Sequence, residues 1–360
     1  MKTREKSRIT IKDVANAAGV SIATVHCALS GKPGVGDETR MRVEQVAHQL
    51  EYRPNALASS LRSKTRQVAV AFPGPSGDNL LYFSRLWEGY RTFMSTVSDF
   101  GINMIEVPYY TSENSQSKEL FAVANQTNLD GVITFGNMDI QTQQLVSRFS
   151  AGGVPVILVG GGIDQPGVLC SVQPHYILAG KMMAELLVRQ IPEDGAILVC
   201  AGDVILPTHY LVVQGMEMYL NENGYKNPLK KLYGSKDKET DYDRIVHAIE
   251  ETENLSACVS VHARASVLLG NALLKTGKAG KIPAIGSDIF SENTQFLKDG
   301  VFSNLLHKNP FYQAYVATKC MTDLLLYDIR PIMTEIYTNS EIIFKSTLPM
   351  YENATQGLIL

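Results

Sequence analysis

From Gln67 onward the chain alternates between short β-branched runs and amphipathic stretches, and this alternation limits its architecture more than any other feature. The runs are Val68–Phe72, Ile102–Val107, Val132–Phe135, Val156–Val159, Ile197–Cys200, Val259–Val261 and Ile282–Ile285. Between them lie stretches with helical spacing, namely Ser84–Phe100, Ile177–Gln190, His209–Asn223 and Ala263–Leu274. Parallel strands need a crossover to return, and a helix is the usual one, so the pattern predicts an α/β body of doubly wound parallel sheets. The remaining length, about 290 residues, is enough for two such lobes.

Composition bounds what the whole chain does. With 45% hydrophobic and 19% charged residues it reads as globular. No run of about 18 apolar residues offers a membrane span, so no membrane partner is expected. Met1–Thr10 is basic without an apolar stretch behind it, unlike a secretory signal. Cys27, Cys170, Cys200, Cys258 and Cys320 are scattered, fitting neither a disulfide framework nor a zinc site. They are expected to be reduced thiols in the cytoplasm. The net charge of -3 conceals an asymmetry, because Met1–Arg66 carries twelve Lys and Arg against six Asp and Glu. A basic head on an acidic body suits a polyanion met by the head alone, although a solvated basic face reads the same way.

That head has its own grammar. Thr10 is placed to cap a helix whose Ile11, Val14, Ala15 and Ala18 share one face. Gly19 closes it, and Ser21 caps a second helix two residues later. Two short helices joined by so tight a glycine turn predict a helix-turn-helix, a small all-α head. In the second helix Val25, Ala28 and Leu29 should pack inward, which turns Ile22, Ala23, His26 and Cys27 outward as candidates for base contact. Ser21 and Thr24 are better placed for phosphates. A third helix is expected from about Asp37 to Leu50, with Val43, Val46, Ala47 and Leu50 buried. Pro54 can start a further short helix from Asn55 to Arg62, too short to stand alone in water.

The run Ile11-Lys-Asp-Val-Ala-Asn-Ala-Ala-Gly-Val-Ser-Ile-Ala-Thr-Val25, then Glu38-Thr-Arg40, then Tyr52-Arg-Pro-Asn-Ala-Leu-Ala-Ser-Ser-Leu61 resembles the lactose-repressor (LacI/GalR) family, in order and at its spacing. The resemblance implies that Thr10, Thr39, Tyr52 and Asn55 join the DNA-binding set. It also implies a hinge helix that folds when two subunits meet the operator, with Leu61 wedged into the minor groove. Three positions depart from the family pattern: His26 and Cys27 stand where serine and arginine are usual, and Gly36 where a serine is. A reading surface without arginine should favour apolar contacts to thymine methyls and one His26 hydrogen bond. Cys27 reads equally well as a contact or as an inert small residue.

The body resembles the type I periplasmic-binding-protein fold that serves as the sensor of that family. The supporting fragments are Asp130-Gly-Val-Ile133, Gly153-Val-Pro-Val-Ile157, Ala179-Gly180, Gly215, Ile285-Gly-Ser-Asp288 and Asn309-Pro310. The implied organisation is a helix-turn-helix domain at 1–53, a hinge helix and linker at 54–66 and a ligand-binding domain at 67–360. Its first lobe spans about 67–172 and 303–333, its second about 173–302 and 334–360, with the chain crossing three times. Ligands settle at the carboxyl ends of parallel strands, which selects Pro73–Asn79, Asn137–Asp139, Gly160–Asp164, Asp203, His262, Asp288 and His307. Asp288 matches the position that typically holds a sugar hydroxyl. Phe83 and Trp87 are candidate cleft walls, although core packing is the commoner role of a lone tryptophan. His209, Tyr210 and Arg264 sit near helix starts within reach of a ligand. The pocket arginine usual before Gly215 falls at Val212, and the acidic residue usual after the fourth strand at Gly160.

No nucleophile elbow, phosphate loop or clustered metal-ligand spacing appears, so neither an enzyme nor a cofactor or metal is expected. An exported solute-binding protein would share the body but not the basic head. The expectation is therefore a cytoplasmic transcriptional regulator, by default a repressor. It would bind a palindromic duplex operator as a homodimer and answer to a small effector, a sugar or sugar derivative.

Overall fold

The computed structural model describes residues 11–29, 34–50, 65–97, 101–110, 115–136, 138–162, 166–204, 206–234 and 237–352. The head comprises α1 (Ile11–Ala18), α2 (Ile22–Leu29) and α3 (Asp37–Gln49). Gly19 takes a left-handed φ of 65°, and the Val20 N–H returns to the Ala15 carbonyl at 3.1 Å, closing α1. The Ser21 hydroxyl then accepts the Thr24 N–H at 3.1 Å and starts α2. Val14, Ala15, Ala18, Val25, Ala28, Val43 and Ala47 form the head's core, with Val46 and Leu50 packed against it. Apart from Ile11, whose side chain lies outside the described residues, these are the stripes that the spacing predicts. The Thr10 cap and the short helix over Asn55–Arg62 lie outside the described residues.

The body holds two six-stranded sheets. The first runs β11-β5-β4-β3-β1-β2, from β1 (Arg66–Ala71), β2 (Ile102–Glu106), β3 (Gly131–Phe135), β4 (Val156–Val159), β5 (Cys170–Pro174) and β11 (Glu335–Thr338), all parallel. The second runs β12-β10-β9-β8-β6-β7, from β6 (Ala196–Gly202), β7 (Leu229–Tyr233), β8 (Leu255–Ser260), β9 (Ala284–Ser287), β10 (Asn304–His307) and β12 (Glu341–Ile343). Only β12 is antiparallel to its neighbour. The central strands are buried throughout, as covered parallel sheets require, because helices occupy both faces.

Those helices are α4 (Phe83–Thr96), α5 (Gln116–Gln126), α6 (Ile140–Ala151), α7 (Tyr176–Val188), α8 (Pro207–Glu222), α9 (Lys238–Glu251), α10 (Ala263–Lys275), α11 (Ser291–Lys298), α12 (Pro310–Tyr327) and α13 (Leu348–Glu352), with a 3-10 turn at Gly77–Leu81. Among the described residues no helix is long and apolar enough to cross a membrane. Helices α7 and α8 cross at backbone distance. A methyl on Gly180 would lie 1.9 Å from the Val212 carbonyl, and one on Gly215 would lie 2.0 Å from that of Ile177. Only glycine permits that approach.

The chain crosses between sheets at β5 to α7, at β10 to α12 and at β11 to β12. This shifts two expected boundaries. The segment 303–307 belongs with the second sheet, because β10 pairs with β9 and β12. Residues 335–338 belong with the first, because β11 pairs with β5. The final strands are short, and nothing in their hydrophobic pattern says which sheet they join.

Candidate functional site

The carboxyl ends of the second sheet's strands gather a polar cluster. Asp288 follows β9 with a left-handed φ of 70° and is 2% exposed. That turn brings its carboxylate beside Lys308, which follows the neighbouring strand β10 and is 5% exposed. The Lys308 ammonium donates to Ser287 Oγ at 2.7 Å and to the Val261 carbonyl at 2.9 Å, and its nitrogen forms an ion pair with Asp288 Oδ2 at 3.0 Å. The Lys308 backbone N–H reaches Asp288 Oδ1 at 3.3 Å. Asn293 fixes the turn by donating to the carbonyls of Ser287 and Asp288 at 2.7 and 2.8 Å. Asp288, the carboxylate expected to hold a ligand hydroxyl, is therefore already engaged by the chain's own lysine.

Beside this pair stand two histidines. His209, on α8, and His262, just before α10, stack with ring centroids 4.7 Å apart. The Asp203 N–H donates to His209 Nδ1 at 3.0 Å, which leaves the ring proton on Nε2. Burial, then the Lys308 charge, lowers the His209 pKa to about 4. Burial, then His209, holds His262 well below the usual imidazole range. His307 is also lowered to about 4, chiefly by burial, and its Nδ1 has no hydrogen-bond partner among the described residues. At neutral pH all three rings are uncharged, and the Asp288–Lys308 pair cancels itself. The stack depends on Gly202, whose φ is 69°. A methyl there would sit 2.5 Å from His209 Nδ1 and 2.8 Å from His262 Cδ2.

The first lobe supplies an aromatic wall. Tyr82 meets Phe83 at 5.3 Å, and Phe83 meets Phe135 at 5.0 Å, both edge to face. Gln313 donates to the Tyr82 hydroxyl at 3.1 Å and to the Lys308 carbonyl at 2.7 Å. The Lys308 ammonium lies 5.9 Å from the centre of the Tyr82 ring. The 3-10 turn Gly77–Leu81 touches α10 of the opposite lobe. A cavity of about 20 Å³ lined by Gly202, Tyr233, Asp241, His262 and Arg264 remains on the second-lobe side, room for one water and not for a pyranose.

Not every expected residue faces this cleft. Trp87 is 1% exposed, packed edge-on against Phe72 at 5.3 Å, with its indole N–H on the Pro73 carbonyl at 2.9 Å. It is core, and the need to bury so large a ring explains its place. Arg264 pairs with the buried Asp241 at 3.0 Å, toward the small cavity. Tyr210 is 42% exposed on α8, and Asp203 is exposed at the strand end. Val212 is fully buried. Asn137 lies outside the described residues. Lys308, Tyr82 and Gln313 escaped sequence reasoning. A lysine between an apolar run and Asn309-Pro310 is the one signal that could have pointed to this network.

On the head, Ile22 is 43% exposed and Ala23 is exposed, while Thr24, Cys27 and Thr39 are half-buried. The Ser21 hydroxyl lies 2.8 Å from that of Thr24. Arg40 of α3 donates to the Ala28 carbonyl at 2.6 Å and the Cys27 carbonyl at 3.3 Å, tying down the carboxyl end of α2. The His26 side chain and Tyr52, Asn55 and Leu61 lie outside the described residues.

A helix-turn-helix with an exposed second helix, on one chain with a two-lobed binding domain, defines a ligand-responsive DNA-binding regulator. Comparison with known sequences bears this out. The profile described as "Bacterial regulatory proteins, lacI family" matches residues 10–55, and "Periplasmic binding protein domain" matches 70–327. The chain belongs to the periplasmic-binding-protein domain family over most of its length and carries a lacI-family DNA-binding domain at its head. It is 29% identical over 217 residues to catabolite control protein A of Staphylococcus aureus, across 60% of this chain and 62% of the relative. The chain thus spans about three fifths of that relative's length. Among solved structures, a glucose-galactose binding protein from Geobacillus stearothermophilus aligns with a TM-score of 0.69 at 15% identity, over 80% of this chain and all of its own. A periplasmic solute binding protein from Actinobacillus succinogenes with bound D-allose aligns at 0.67 and 16%, over 79% and 100%. These likenesses establish the fold.

Proposed function

We propose that the protein is a homodimeric repressor of the bacterial cytoplasm that binds a palindromic operator and releases or gains it according to a neutral sugar in the cleft. The observation that carries this reading is the basic helix-turn-helix head on the same chain as a sugar-binding-like pair of lobes. One head reads few base pairs, so useful affinity asks for two heads on two half-sites. Movement of the lobes would alter the spacing of the paired hinge segments around Asn55–Arg62, so operator and effector affinities are linked. The reading surface is Ile22, Ala23, His26 and Cys27. Thr10, Ser21, Thr24, Thr39, Tyr52 and Asn55 position it on the backbone, and Leu61 acts as the minor-groove wedge. The effector would meet His209, His262, Phe83 and the Asp288 network, with Asn137, Asp203, Tyr210 and His307 at its margins. No catalytic role is assigned to any of these groups.

Selection of operators from a random duplex pool with the full-length protein tests the reading. A palindrome with a flexible pyrimidine–purine step at its centre is expected. Enrichment of no sequence, with or without sugars present, would overturn it. Within such an operator, Leu61→Ala should weaken binding and leave sugar affinity unchanged in calorimetry; unchanged operator affinity would remove the wedge role.

A further inference from the structure

The Lys308 ammonium is held at the strand ends of one lobe: it donates to the Val261 carbonyl and Ser287 Oγ and pairs in charge with Asp288 Oδ2. Its backbone, meanwhile, belongs to the crossing between lobes, where β10 runs into α12. From there the Lys308 carbonyl accepts from Gln313, and Gln313 donates to the Tyr82 hydroxyl of the first lobe. Tyr82 directly follows the 3-10 turn Gly77–Leu81, the segment that touches α10 across the cleft. A continuous polar path therefore joins the carboxylate of Asp288 in one lobe to the wall of the other, and one lysine is its centre.

We propose that Lys308 is a tethered occupant of the cleft: its ammonium fills the place on Asp288, Ser287 and the Val261 carbonyl that a ligand's hydroxyl donors would fill, and so latches the lobes without ligand. The inference rests on the cleft being the effector site. Its chemical consequence concerns ligand class. Asp288 is neutralised from within, so a cationic amino sugar gains no ion pair there. A neutral sugar must instead displace the ammonium or bind beside it, through the uncharged His209 and His262. The lysine is a positioning residue, acting on closure through Gln313 and Tyr82.

Hydrogen–deuterium exchange of the full chain without ligand tests the latch at residues 77–81 and 263–275, with β3 and β8 as internal references. Lys308→Met removes the ammonium but strands Asp288 as a buried unpaired charge, which threatens folding. The double variant Lys308→Met with Asp288→Asn removes both charges and keeps the shape. In the double variant faster exchange is expected at 77–81 and 263–275, with the reference strands unchanged. Exchange at those segments equal to that of the parent protein, in a folded double variant, would overturn the latch. Titration of the parent, the Lys308→Met single variant and the double variant with glucose and glucosamine adds the specificity readout. Glucosamine should gain over glucose in Lys308→Met alone, which keeps Asp288, and not in the double variant. If no sugar binds any form while exchange rises as expected, the latch stands and the effector reading falls.

Discussion

At the scale of single residues, the cleft is a place where burial has removed charge. His209 and His307 titrate near pH 4 in the folded chain, against about 6.5 when unfolded. Depressed folded values mean that the unfolded state binds more protons between these limits, so stability is full above pH 6.5 and is lost as pH falls toward 4. Each ring contributes on the order of 3 kcal/mol to that loss. His209→Gln should flatten the pH dependence of the melting temperature between pH 6.5 and 4, and an unaltered slope would contradict the assignment. Gly202→Ala is expected to destabilise the body by about 1–3 kcal/mol, read as a lowered melting temperature, because the new methyl meets both stacked histidines at a left-handed backbone. The sequence placed Asp288 and His262 at strand ends and His209 near a helix start, because the ends of strands and helices are legible from periodicity. It did not place Lys308 on Asp288, since that contact needs the lateral neighbourhood of β9 and β10, which no local pattern encodes.

At the scale of elements, legibility followed the strength of the apolar pattern. Strand β4 matches its predicted run residue for residue, and α10 matches within one. The helix-turn-helix emerged with the right inward faces because its caps and glycine turn are local chemistry. Strands β5, β7, β10, β11 and β12 were not legible: β5 has a single β-branched residue, β7 is a polar edge strand, and the last three have only three or four residues. Trp87 was drawn toward the cleft by its chemistry, whereas packing claimed it. Helix α2 shows a further dependence between elements, since Arg40 of α3 holds its last carbonyls. Arg40→Ala should cost the head about 1–2 kcal/mol. It should weaken binding to strong and weak operators by the same factor, because a positional contact and no base contact is lost. A loss confined to one operator sequence would assign Arg40 to base readout instead.

At the scale of the whole molecule, charge is divided between a basic head and an acidic body. Binding by two heads through roughly six to ten phosphates should fall about 10³–10⁵-fold between 50 and 200 mM salt, a slope that filter binding or fluorescence anisotropy can read. A slope corresponding to half as many phosphates would indicate a single head on DNA. The three crossings between lobes carry a different consequence, for synthesis. Residues 11–50 are contiguous and their core contacts are local, so the head can fold as soon as it leaves the ribosome. Neither lobe enjoys that freedom. The first sheet lacks β11 and the α12 cover until residue 338 has emerged, and the second waits for β12 to supply its edge. A nascent or prematurely terminated chain therefore presents a finished DNA-binding head on two unfinished sheets. Such a fragment would carry a single head, short of the two that useful operator affinity asks for, and its uncovered strand edges would expose it to proteases.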